Sequence, residues 1–157
     1  MRRILAAIDF SDVSERVVRE AATLAAALKL PLRLLHITVR PIVLGPEVIP
    51  LSMAVEGNAE ERMRQATAEM LIFGEAVAES ANRPETIVLE GSPADAILQQ
   101  ARDGEACIIV MGSHGHGSLY HLFVGSVTLK VIQEAPCPVL VVRSQTALHA
   151  AVQGESA

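Results

Sequence analysis

With 157 residues and a hydrophobic fraction of 50%, the chain is long enough for one compact domain with a sizeable core and too short for a two-domain enzyme. Aromatics make up only 3%, with no Trp and one Tyr, so base-stacking platforms are scarce and an RNA-binding module is disfavoured. A net charge of −5 and a pI near 5.5 oppose binding to a phosphate backbone, so no nucleic-acid partner is expected.

Apolar patterning then divides the chain into alternating elements. Met1-Arg2-Arg3 opens like a signal peptide, but Asp9 cuts short the apolar run Ile4 to Ile8, so a cytoplasmic location is expected. Arg3 to Ile8 reads as a buried strand. A helix follows from about Val13 to Leu28, with Val17, Ala21, Leu24, Ala25 and Leu28 on one face and Asp12 with Glu15 as a capping box. Leu32 to Val39 is a second strand. Arg40 to Gly57 holds Pro41, Gly45, Pro46, Pro50 and Gly57, too much punctuation for a regular element, and is expected to be a lid or packed loop. The second helix starts after Asn58, with Glu61 three positions on, and places Met63, Ala66, Met70, Phe73 and Val77 on one stripe.

Thr86 to Glu90 forms a third strand. Ser92-Pro93 announces a third helix, a hydroxyl cap followed by proline at the first helical position, with Ile97, Leu98 and Ala101 facing inward. Cys107 to Met111 is a fourth strand, Gly125-Ser126 opens a helix to about Glu134, and Val139 to Val142 completes a set of five strands. Residues 144–157 read as a flexible polar tail to a domain spanning 1–143.

Short aliphatic strands alternating with amphipathic helices imply right-handed crossovers and a single-domain, doubly wound α/β sandwich with a parallel sheet. In such sheets ligands bind beyond the carboxyl ends of the strands, where strand order reverses. The uncharged stretch Ala106 to Leu129 is too rich in glycine and histidine for a membrane helix, and no membrane insertion is expected. Cys107 and Cys137 lack the paired spacing of zinc or redox motifs and read as structural thiols. His36, inside an apolar strand, reads as a satisfied core histidine rather than a ligand.

The informative segment follows the fourth strand: Met111-Gly112-Ser113-His114-Gly115-His116-Gly117, then Ser118 to Val124, then Gly125-Ser126-Val127 at the start of a helix. Glycines let backbone N–H groups approach an anion, and a helix N-terminus adds unpaired donors and a positive dipole end. The alternative is a glycine-rich turn that merely connects a strand to a helix. Neither a P-loop lysine nor a Rossmann glycine fingerprint is present. His114, His116 and His121 have no neighbouring Cys or carboxylate to complete a metal site, and they read as solvated loop residues.

Gly112, two residues, Gly115, nine residues and Gly125-Ser126 together resemble the nucleotide-binding signature of the universal stress protein family. Ile4-Leu5-Ala6-Ala7-Ile8-Asp9-Phe10-Ser11, Gly91-Ser92-Pro93-Ala94 and Pro136-Cys137-Pro138-Val139-Leu140-Val141-Val142 resemble further landmarks of that family in the same order. The resemblance implies a five-stranded parallel sheet of order 3-2-1-4-5 with helices on both faces and, in the branch that keeps the signature, bound ATP. Carried over by position, Ala7 and Asp9 end the first strand and Ile37 meets adenine through its backbone. Met111 and Gly112 border the ribose, and Gly115, Gly125, Ser126 and Val127 hold phosphates. The sequence departs from the usual pattern at Tyr120 and His121, where Lys or Arg often precedes the second glycine.

Between Arg102 and Arg143 the only cationic side chain is Lys130. One helix end offers about half an elementary charge, so magnesium or manganese is expected with the nucleotide, bound mostly through phosphate oxygens and water. Asp9 is placed to reach that metal, its water shell or the ribose; its alternative role is a turn or capping carboxylate. With no constellation for phosphate hydrolysis, no catalytic residue is assigned. The expected function is an ATP-binding regulatory or signalling module, a homodimer through Val139 to Arg143 with an unidentified protein partner possible. The competing readings are a slow ATPase and an interaction scaffold with an empty nucleotide site.

Overall fold

A computed structural model describes residues 2–39, 59–81, 83–113 and 124–143. Asn58, Gly115, His114, His116, His121, the Arg40 to Gly57 loop and the tail from Ser144 lie outside these described residues. The elements are β1 (Arg3–Ala7), α1 (Ser14–Leu28), β2 (Leu32–Thr38), α2 (Ala59–Ala76), β3 (Glu85–Glu90), α3 (Pro93–Asp103), β4 (Ala106–Gly112), α4 (Ser126–Glu134) and β5 (Val139–Val142). They form one five-stranded sheet of order β3-β2-β1-β4-β5, every pair parallel, as the resemblance implied.

The two-residue period of the strands sorts side chains to opposite faces. Ile4, Ala6, Leu32, Leu34 and Val110 pack with Val17, Ala21 and Ala25 of α1 and Met70 of α2. Leu5, Ala7, Leu35, Ile37, Ile109 and Met111 pack with Ile97 and Leu98 of α3 and Val131 of α4. Each Ile, Leu, Val or Met among them, fully buried, contributes about 1.5–3 kcal/mol of transfer free energy. The small residues Ala21, Ala22 and Ala25 let α1 lie close on β1, whose four residues Ile4 to Ala7 are buried. The edge strands β3 and β5 are mostly half-buried, unlike the interior strands expected to be covered on both faces.

Two local expectations are corrected. Asp12 does not cap α1: the N-cap is Val13, with no side-chain hydrogen bond at the cap. The carboxylate that organises this turn is Asp9, whose Oδ1 accepts from the Ser11 backbone N–H (3.1 Å), the Ser11 hydroxyl (2.6 Å) and the Ser14 hydroxyl (3.3 Å). Leu28, placed on the inner face by periodicity, is 50% exposed. Leu28 stands in the last turn of α1, which ends at Lys29 in the left-handed region, φ 53°.

The remaining helices begin where they were expected. Gly91, at φ 152°, occupies a backbone region that side chains disfavour, and its N–H reaches the Thr38 carbonyl at 3.0 Å. That turn delivers Ser92 as N-cap and Pro93 as first residue of α3, although the Ser92 hydroxyl bonds the Asp95 side chain rather than the helix backbone.

Candidate functional site

In a parallel sheet each helix that follows a strand begins at the carboxyl edge, so the starts of α2, α3 and α4 converge there with the ends of β1, β2 and β4. Between them lies a cavity of about 720 Å³. Its wall is formed by Ala7, Ile8 and Asp9 at the end of β1, His36 to Val39 at the end of β2, and Met111 and Gly112 at the end of β4. Pro93 and Ile97 of α3, Gly125 to Thr128 at the start of α4, and Arg62 of α2 complete it. The volume falls in the range of small-molecule and cofactor sites, which combine an apolar lining with a few placed polar groups.

The α4 end is tied to the sheet at several points. Gly125 donates its N–H to the Ser113 carbonyl at 2.8 Å, and Ser113 donates to the Val142 carbonyl at 2.9 Å. Thr128 is 3% exposed, and its hydroxyl donates to the Gly112 carbonyl at 2.9 Å. The first helical bond runs from Leu129 N–H to the Gly125 carbonyl, so the amides of Ser126, Val127 and Thr128 precede the intrahelical ladder. These donors, with the Ser126 hydroxyl, form the anion-attracting edge of the cavity. Gly125 itself has φ −63° and ψ 153°, a conformation open to any residue. Its lack of a side chain therefore matters for approach to the helix end rather than for backbone freedom.

Asp9 fills the turn role weighed for it, since Oδ1 organises the β1–α1 turn, and the residue also lines the cavity. Phe10 follows in the left-handed region at φ 61° and stacks on His36, ring centroids 4.1 Å apart, and on Phe73 at 5.9 Å. His36 Nδ1 lies 2.9 Å from the Ile8 carbonyl, and because a carbonyl only accepts, Nδ1 carries the proton. His36 is thus a hydrogen-bonded, partly buried histidine as expected, and it also faces the cavity.

The structure brings Ala7, Asp9, Ile37, Met111, Gly112, Gly125, Ser126 and Val127 to one cavity; Gly115 is outside the described residues. Lys130 does not line it. Its Nζ lies 2.6 Å from Asp95 Oδ1 across the α3–α4 contact. That hydrogen bond, with the Ser92 hydroxyl, holds the Asp95 carboxyl below its ordinary value, and the same bond to Asp95 raises the Lys130 ammonium. Arg62 is the charged lining residue absent from the set drawn from the sequence, as are Ile8, His36, Thr38, Val39, Pro93, Ile97 and Thr128 among the uncharged ones. The signal was available: a first-turn residue of a helix returning from β2 must start at the carboxyl edge of the sheet. Cys107 and Cys137 are free and half-buried, and burial pushes the Cys137 thiol up, as suits structural thiols.

Strand order, crossovers and cavity define a doubly wound α/β domain with a cavity at its switch point. A model of the universal stress protein family matches residues 1–143, and the chain belongs to that family. A universal stress protein of Thermus aquaticus is 36% identical over 143 residues, covering 90% of this chain and 98% of the relative. Universal stress protein UspA from Lactobacillus plantarum superposes with a TM-score of 0.75 at 27% identity, over 90% of this chain and 97% of that one. A universal stress protein of Archaeoglobus fulgidus, solved in complex with dAMP, has a TM-score of 0.66 at 24% identity, over 91% and 98% of the two chains. Among the described residues no helix is long and apolar enough to cross a membrane.

Proposed function

We propose that this chain is a cytoplasmic regulatory module of the universal stress type that binds ATP, belongs to the branch retaining the glycine signature, and acts through a nucleotide-dependent change of shape or partner surface. The observation that carries the reading is the cavity itself. It gathers every described residue of the signature set around an apolar floor, with a carboxylate at one strand end and a helix N-terminus opposite. The dAMP complex of the Archaeoglobus fulgidus relative supports an adenine nucleotide as the ligand class.

Among the described residues no group of three His, Cys, Asp or Glu side chains could hold a metal alone. In this reading magnesium or manganese accompanies the nucleotide, held through phosphate oxygens and water, with Asp9 the carboxylate among the described lining residues. When bound, the cation offsets triphosphate charge that the helix end meets only in part. The chain holds ATP rather than turning it over efficiently: Lys130 is engaged by Asp95, and Arg62 lies across the strands from α4. Phosphoryl transfer relies on a fixed cation at the developing charge. Equilibrium dialysis with ATP, with and without magnesium, tests the reading, and native mass spectrometry of the purified protein shows whether a nucleotide travels with it. Absence of ATP binding at millimolar concentration would return the chain to the scaffold class.

A further inference from the structure

Arg62 stands in the first turn of α2, which packs against β2 and β3 on the side of the sheet away from α4. It lines the cavity, as do Thr38 and Val39 at the end of β2, and its side chain is partly buried, with Nε shielded from water. The anion-attracting amides of Ser126 to Thr128 lie at the opposite end, beside β4. β2 and β4 flank β1, so measured across the strands the two ends lie two inter-strand spacings apart, about 10 Å, and they approach from opposite faces of the sheet.

From this separation we infer that Arg62 recognises the base end of the bound nucleotide and not its phosphates, making α2 a specificity element of the cavity. The inference rests on the adenine-nucleotide reading above. A phosphate oxygen bonded to the α4 amides sits about 3 Å from them, and the nucleoside then extends across β1 toward the end of β2. There it meets a planar guanidinium, which stacks on a π-face and donates to ring nitrogens. A lysine ammonium at the same place keeps the charge but loses the plane.

The test is calorimetric titration of the parent chain, Arg62→Met and Arg62→Lys with adenosine, AMP and ATP. Thermal melts of each variant verify folding. If Arg62 contacts the base, Arg62→Met weakens all three ligands by the same factor, about tenfold, and Arg62→Lys recovers little of the loss. A penalty absent for adenosine that grows with the number of phosphates places Arg62 on the phosphates and overturns the inference, as does full recovery by Arg62→Lys or no penalty for any ligand. Should Arg62→Met fail to fold, the charge-retaining Arg62→Lys decides by the same comparison across ligands. Failure of the nucleotide reading is seen separately, as a parent chain that binds none of the three.

Discussion

Replacing Gly125 with valine separates the phosphate role of the α4 start from its structural role. The residue already has φ −63° and ψ 153°, which valine adopts without strain, and its N–H and carbonyl remain free to bond Ser113 and Leu129. Valine is a poorer N-cap than glycine, a cost of about 1 kcal/mol, which for a chain of this size lowers Tm by roughly 2–5 °C. Ligand binding should suffer more. The branched side chain stands at the cavity edge, where an anion must approach the amides of Ser126 to Thr128. Loss of one charge-assisted hydrogen bond together with part of the helix-dipole attraction costs about 2 kcal/mol or more, roughly a 30-fold fall in ATP affinity. Adenosine, which carries no phosphate, should bind within about twofold of the parent value. Isothermal calorimetry with both ligands, beside a thermal melt, reads all three quantities. A folded Gly125→Val protein that binds ATP as tightly as the parent would refute the placement of phosphate at this helix end.

Three further outcomes are expected. Leu140 is 38% exposed on the edge strand β5 whereas Val142 is buried at 5%, so Leu140→Lys should convert a homodimer to monomer in sedimentation without unfolding the subunit; a parent that sediments as a monomer at micromolar concentration removes the premise. With magnesium or manganese, ADP and AMP should accumulate slowly over hours, and turnover at about 1 per second or faster would reassign the chain to the ATPases. Because Lys130 holds the Asp95 carboxyl below its ordinary value, the pair stabilises the fold above the usual carboxylate pKa of about 3.9 and loses that contribution as pH falls through the lower folded value. Asp95→Asn should thus be slightly less stable than the parent at pH 7, the two melting curves converging in acid, and a gap that widens toward low pH contradicts the sign.

The local chemistry of the chain was enough to establish most of the architecture. Runs such as Leu32 to Thr38 and Ala106 to Gly112 are aliphatic because a parallel strand is covered on both faces, and the stripe Ile97, Leu98, Ala101 records the inner face of α3. The glycine spacing and Gly125-Ser126 were legible for the same reason, since a helix start and a close approach depend on neighbours in sequence. Tertiary structure decided what periodicity cannot encode. Leu28 has a core residue's spacing but lies exposed in the last turn of α1, and Val142 and Leu140, two positions apart on one face of β5, differ in burial because Val142 packs into the core beside Val110 and Leu140 does not. Lys130 is the one cationic side chain between Arg102 and Arg143 in the sequence, but the fold brings Asp95, 35 residues away, to engage it. Arg62 is separated from Gly112 by two strands and a helix, yet the parallel topology returns every helix start to the same edge. Burial along one element is a local, periodic property and can be read in one dimension; a cavity built from the ends of β1, β2, β4, α2, α3 and α4 exists only once the crossovers have brought those ends together.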